Sequence, residues 1–306
     1  MTNVGLLLEM GIDNALYVAI NSGMVDIVQQ ILDKGMDVNV NVNTKRNPLY
    51  AAVEGNSIKI TKMLDKGADV NLQGGELGNP LQLASHKGNQ DIVQLHLKIG
   101  ASVNAEGWKW GYAIWAAMSK CHQGIVHLLL QHGANLNITE GYDGEVLQAA
   151  SLGGYFDIVK QLLDGGIDVN TPGKPHGNAL IAAAVGNWRD VIRLLPDRGA
   201  NVNATAPGNC TALIAASRYC PDDVVELLLK WEANVNVRED SEHGTALVAA
   251  CARSNRNIVK MLLEWGADVN QLAGCSGSPL SVASPSGKTH ITNYITLKII
   301  YVQCCQ

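Results

Sequence analysis

Large aromatic side chains are nearly absent from this chain: it has one Phe in 306 residues and 5% aromatics overall, against 47% hydrophobic residues. Its core must therefore be built of small aliphatics, which suits thin layers of stacked helices better than one large globule. There is no positive excess either. Lys and Arg number 23 against 28 Asp and Glu, a net charge of −5, so the basic stripe of a polynucleotide binder is missing and no nucleic acid partner is expected. The seven cysteines form no Cys-x-x-Cys pair and follow no regular spacing. They read as reduced thiols of an intracellular protein, cytoplasmic or nuclear. Met1 to Met10 has no basic stretch of the kind that opens a signal peptide. The most apolar tail segment, Ile291 to Cys305, is shorter than a membrane span and contains Lys298. Neither secretion nor a membrane anchor is expected.

What the chain has is a phrase that returns. Gly67-Ala68-Asp69-Val70-Asn71 recurs in near copy at Gly35, Gly100, Gly133, Gly166, Gly199, Glu232 and Gly266, at successive spacings of 32, 33, 33, 33, 33, 33 and 34. A period near 33 makes the repeat the unit of structure. Within each period lie two apolar patches. The first carries Leu16, Leu49, Leu81, Ile114, Leu147, Leu180, Leu213, Leu247 and Leu280, followed by small residues such as Ala116-Ala117, which let helices approach closely. The second, as in Ile125-Val126 and Leu129-Leu130, has the i, i+1, i+4, i+5 stripe of an amphipathic helix. Each repeat thus predicts an inner and an outer helix back to back. Eight or nine residues rich in Gly, Asn and Asp, such as Leu72 to Gly78, join one pair to the next and suit a short hairpin finger.

In this setting Asn79-Pro80-Leu81-Gln82-Leu83-Ala84, Ser278-Pro279-Leu280 and Thr211-Ala212-Leu213, with the Gly-Ala-Asp-Val-Asn endings, resemble the ankyrin repeat, although the family's His after Leu is never present. The phrase Gly74 to Ser85 is similar to a variant common in fungal multi-ankyrin proteins. The resemblance covers roughly 5 to 295 and implies an all-α ankyrin-repeat solenoid of about nine helix-turn-helix units with short β-hairpin fingers. The expectation is a single domain over 1–306, with an atypical N-terminal cap at 1–34, regular repeats at 35–277 and a C-terminal cap and tail at 278–306.

Several departures carry expectations. In the first unit Asn14 should open the inner helix. The second, Asn47 to Gly67, should be one residue short in its inner helix, with Lys59 in an apolar place and looser packing. His96 stands where Leu129 stands one repeat later, and should be partly buried with a local hydrogen bond. Pro196 stands where Leu130 stands, and should distort its helix end, because proline removes a backbone donor. Cys121, Cys220, Ser254 and Asn187 fall where the break between helices usually has Gly, a place that often needs a left-handed residue. Ile291 to Gln306 should form a capping helix with a frayed tail.

No catalytic arrangement emerges. Gly287-Lys288-Thr289 lacks the earlier Gly of a phosphate loop, since Val282 stands there. His122, His127 and His132 are five apart, which spreads them round a helix, and no acid or Cys completes a metal set. Asn137, Asn203 and Asn209 lie in glycosylation sequons, the first two on the repeat's own structural Asn. Neither a cofactor, a metal nor a catalytic residue is assigned.

The family resemblance implies that partners bind in the groove between fingers and inner helices. Columns of equal repeat phase then bring Trp108, Lys109 and Trp110 of one finger, Trp115 of the helix after it, Lys120, Tyr142, His176, and finally Arg218 and Tyr219 to that face. Trp and Tyr are residues expected at binding hot spots. Trp110 and Trp115 could equally pack the finger onto its helix. Trp231 and Trp265 share a phase at the outer edge and read as structural. The expected function is a non-catalytic scaffold binding a protein partner in the concave groove. The alternative is a small-molecule-binding or catalytic groove around Trp108, Trp110, Trp115, Tyr142 and His176.

Overall fold

The protein, as a computed structural model, is described over residues 12–39, 47–64, 67–75, 78–107, 111–136, 143–173, 176–207, 210–238, 244–272, 277–283 and 289–304. These hold eighteen helices. The inner helices are α1 (Ile12–Asn21), α3 (Pro48–Glu54), α5 (Pro80–Lys87), α7 (Ala113–Met118), α9 (Asp143–Gly153), α11 (Ala179–Gly186), α13 (Ala212–Tyr219), α15 (Ala246–Arg253) and α17 (Pro279–Ala283). Their outer partners are α2 (Val25–Asp33), α4 (Ile58–Leu64), α6 (Gln90–Lys98), α8 (Gln123–Gln131), α10 (Phe156–Asp164), α12 (Arg189–Asp197), α14 (Asp222–Lys230), α16 (Arg256–Glu264) and α18 (Thr289–Cys304). Contacts group the chain into two compact units, 1–136 and 137–306. Within each unit an inner helix packs on its own outer helix and on the next inner one, from α1 to α7 and from α9 to α17. Among the described residues no helix is long and apolar enough to cross a membrane.

The expected columns form this core. Leu16, Leu49, Leu81, Ile114, Leu147, Leu180, Leu213 and Leu247 are buried, and so are the alanines after them. Most inner helices start at a side-chain cap: Asn47, Asn79, Asn178, Thr211 and Thr245 each accept from the backbone three residues on. The last Asn of the phrase joins consecutive repeats at Asn39, Asn71, Asn104, Asn170, Asn203 and Asn236. Asn104 Nδ2 donates to the Gly133 carbonyl (3.0 Å) and its Oδ1 accepts from Asn135 N (2.8 Å); Asn170 treats Gly199 and Asn201 alike, and Asn203 treats Glu232 and Asn234 alike. That amide of Asn203 is also the one a glycan would have to take. The described fingers close by isolated bridges, Gly173 with Gly177 and Thr205 with Thr211, and not by extended ladders.

The inner helix of the second repeat is one residue short as expected, with seven residues in α3 against eight in α5. The left-handed break keeps its place: Asn56, at φ 56°, follows the cap Asn47 by the same nine residues that separate Gly88 from Asn79, while Gly67 follows Asn56 by eleven residues where Gly100 follows Gly88 by twelve. Gly55, just before the break, is right-handed (φ −76°, ψ 0°). Lys59 is exposed, and the polar residue in an apolar place is Thr61, which is fully buried and donates to the Ser57 carbonyl (2.9 Å).

The end of α12 does not distort at Pro196. Arg198 N donates to the Leu194 and Leu195 carbonyls (3.2 and 3.1 Å), as His132 N does to those of Leu128 and Leu129 at the end of α8. The proline stands in the last turn of a nine-residue helix, where only one ladder bond is lost. Cys121, Asn187 and Ser254 do take the left-handed place, at φ 56°, 58° and 64°. Cys220 does not: it is extended (φ −97°, ψ 163°), the conformation that a following proline, Pro221, imposes. Helices α1 and α18 include residues ahead of the expected starts, being helical already at Ile12 and Thr289. Helix α18 closes the second unit by packing on α16 and α17.

Candidate protein-binding face

Most inner helices are buried along much of their length and emerge in the last turn, although Glu145 at the start of α9 and Ser281 in α17 are also exposed. In α5 Pro80 to Ser85 are buried and Lys87 is exposed; in α7 Ala113 to Met118 are buried and Lys120, just beyond, is exposed. Further on, Ala212 to Ser217 are buried ahead of exposed Arg218 and Tyr219, and Ala246 to Cys251 ahead of exposed Arg253. Cations are favoured here because the carbonyl end of a helix is its negative pole. Two of them also reach back one repeat: Lys87 Nζ donates to the Glu54 carbonyl and Arg253 Nη1 to the Cys220 carbonyl, both at 2.6 Å. The Arg218 guanidinium instead lies 5.1 Å from the centre of the Tyr219 ring, a cation–π arrangement.

The expected site residues distribute unevenly. Trp108, Lys109, Trp110 and Tyr142 lie outside the described residues. Trp115 is 5% exposed, so it offers no binding surface, contrary to its expected place in an exposed aromatic cluster. It stands where Gln82 completes the Asn79 capping box, with Tyr112 in place of the Asn; the two rings meet edge to face, 4.6 Å apart. A methyl group on Gly111 would meet the Trp115 ring, so the indole packs the finger onto α7. Lys120 belongs to unit 1; His176, Arg218 and Tyr219 belong to unit 2. His176 sits half-buried in the finger closed by Gly173 and Gly177, and burial lowers its pKa.

Sequence reasoning passed over Trp188 and gave Arg253 only a minor place. Trp188 is 37% exposed, its Nε1 donates to the Leu152 carbonyl (2.6 Å), and its ring lies where a side chain on Gly154 or Gly186 would stand. The signal was Gly154 one repeat earlier, which clears room for a large ring. Cys220 is buried and donates to the Ala184 carbonyl (3.1 Å). Burial pushes its thiol up to about 12, against the pull of Arg253 and with the push of Asp223, so it holds structure and is inert as a nucleophile. His122, one of the three evenly spaced histidines, uses Nε2 to donate to the His86 carbonyl (3.1 Å). On the turn edge of unit 1 an open, polar hollow of about 450 Å³ is lined by Asn56, Ile58, Lys87, Gly88, Asn89, Gln90 and Asp91.

Comparison with family models agrees with this architecture. A model of ankyrin repeats in three copies matches residues 2–74, 146–239 and 208–273, and a model of many copies matches 114–163. The chain belongs to the ankyrin-repeat family, whose repeats are in general modules of protein–protein interaction. No curated protein matches the sequence.

Proposed function

We propose that the protein is a non-catalytic scaffold that takes a protein partner on the face formed, within each unit, by the last turns of the inner helices and the fingers beside them. The observation that carries the reading is the emergence of exposed, mostly cationic residues, in repeat phase, from inner helices otherwise buried. In unit 1 the face holds Lys87 and Lys120, with Trp108, Lys109 and Trp110 assigned to it by phase. In unit 2 it holds His176, Arg218 and Tyr219, with Tyr142 assigned likewise. Arg, Tyr and Trp are the side chains on which interfaces concentrate their energy. The small-molecule alternative loses one wall to the burial of Trp115. The reduced thiols of Cys121 and Cys220 support a place inside the cell.

The test is a pull-down from native lysate, followed by titration calorimetry of the partner against Tyr219→Ala, Trp108→Ala and Trp265→Ala. The first two should each cost about 2 kcal/mol, roughly thirtyfold in affinity. Trp265→Ala, off this face, should bind like wild type. Wild-type affinity in both of the first two variants would move the site elsewhere.

A further inference from the structure

We infer that the unit 2 face recognises an acidic peptide segment, one whose carboxylates flank an apolar side chain. The inference rests on the proposed reading of the inner-helix face. Its ground is an imbalance of charge in a chain that is acidic as a whole. The carboxylates nearest Arg218 in sequence are already engaged: Asp222 accepts from Asn255 Nδ2 on one oxygen and from Asn257 Nδ2 on the other, both at 2.7 Å, and Asp223 pairs with Arg189. Among the described residues no carboxylate pairs with Arg218 or Arg253. Among the described residues Arg218 is held only by the Tyr219 ring, and Arg253 spends one donor on the Cys220 carbonyl, so both keep guanidinium donors for carboxylates.

The cations stand on one bonded patch with apolar rings. Arg253 is tied to Cys220, Cys220 to Ala184, and the Arg189–Asp223 pair joins the start of α12 to α14. Trp188 at that start is 37% exposed and Tyr219 39% exposed. Exposed rings beside guanidiniums that keep free donors among the described residues fit an apolar side chain flanked by acids. A polyanion is the poorer fit, because phosphate backbones require many cations in a row and the chain carries −5 overall.

The test selects random twelve-residue peptides displayed on phage against the full chain, then measures synthetic copies by fluorescence anisotropy. Enriched peptides should carry two or more Asp or Glu flanking Leu, Phe or Trp. Arg218→Ala should weaken them about tenfold, the loss of one charge-assisted pair, and Arg218→Lys should restore part of it. Tyr219→Ala should weaken them too, while circular-dichroism melts of all three variants match wild type. Peptides weakened by Tyr219→Ala but lacking acids, or indifferent to Arg218→Ala, would overturn the acidic assignment and leave the face standing. A selection that yields no peptide would overturn both. Equal binding of a thymidine oligonucleotide would replace the peptide by a polyanion. A dimer seen in sedimentation and broken by Arg218→Ala would make the occupant a second copy, and either result sinks the proposal.

Discussion

His96 in α6 takes the place that Leu129 holds in α8, and Pro196 in α12 takes the place that Leu130 holds; read as sequence, both break the outer-helix leucine pair. Within their own units they meet different surroundings. His96 is wholly buried; its Nδ1 donates to the Ile92 carbonyl (2.8 Å), while Nε2 has no partner. Pro196 is half-buried in a helix whose end matches that of α8. The two places of the pair are therefore unequal. The first faces the core at Ile31, Leu129, Leu162, Leu195, Leu228 and Leu262, whereas the second varies: it is buried at Leu97, Leu229 and Leu263 but half-buried at Leu32, Leu130, Leu163 and Pro196. A polar residue in the first place loses its water, and one in a half-buried second place keeps part of it.

The largest effect should come from His96→Leu. It removes an unsatisfied buried nitrogen and supplies the side chain that the neighbouring repeats use, which together should stabilise unit 1 by about 1 to 3 kcal/mol. Amide hydrogen exchange of α6 reads this locally, as repeat proteins require. Exchange as fast as in wild type would mean that the histidine fits its site without cost.

Acid sharpens the same contrast. Burial lowers the His96 pKa, with the Ile92 carbonyl opposing more weakly, so below about 6.5 the unfolded chain takes up a proton that the folded chain refuses. The stability of unit 1 should be level above pH 7 and fall as pH drops through 6.5 toward the folded value. Urea melts at pH 8 and pH 5.5 should show a smaller loss in His96→Leu than in wild type. Equal losses would show that other groups carry the acid response.

Glu232 offers a smaller effect. It opens its phrase at φ 61°, where six other repeats have a glycine between 79° and 95°. The left-handed region costs a residue with a Cβ about 1 kcal/mol, so Glu232→Gly should raise the unfolding free energy of unit 2 by roughly that amount. The Glu232 carbonyl that Asn203 binds remains in the variant. A lower melting temperature would mean that the added chain flexibility outweighs the relieved strain.

The period, the leucine columns and the stitching asparagines were legible because each repeats a local rule at a fixed phase. The break in the second repeat was not, because Gly55 and Asn56 can both end a helix and only the backbone shows which is left-handed. Trp115 misled for a different reason. A ring at a capping-box position is apolar enough to expose as a hot spot and large enough to bury, and the glycine that receives it, Gly111, lies in a finger whose fold the spacing does not fix. Arg218 was readable as a cation at a helix end. That no described carboxylate answers it was not, since that depends on Asp222 and Asp223 finding Asn255, Asn257 and Arg189 in space.

Pro196→Leu should produce the smallest change, and its size measures how far the two leucine places differ. The substitution restores one donor to the Ile192 carbonyl, a gain of about 0.5 to 1.5 kcal/mol for a hydrogen bond that is otherwise missing. It also gives back conformational freedom to the unfolded chain, which opposes that gain by roughly 0.4 to 1 kcal/mol. What remains is the apolar contact of a half-buried side chain, smaller than that of Leu195 beside it, which is completely buried. The net should be a gain below about 1 kcal/mol, well under that of His96→Leu. Hydrogen exchange of α12 and α6 in the two variants, measured side by side, tests the order. If Pro196→Leu stabilised its helix as much as His96→Leu does, the half-buried place would be as much a part of the core as the buried one, and the contrast between the two would fail.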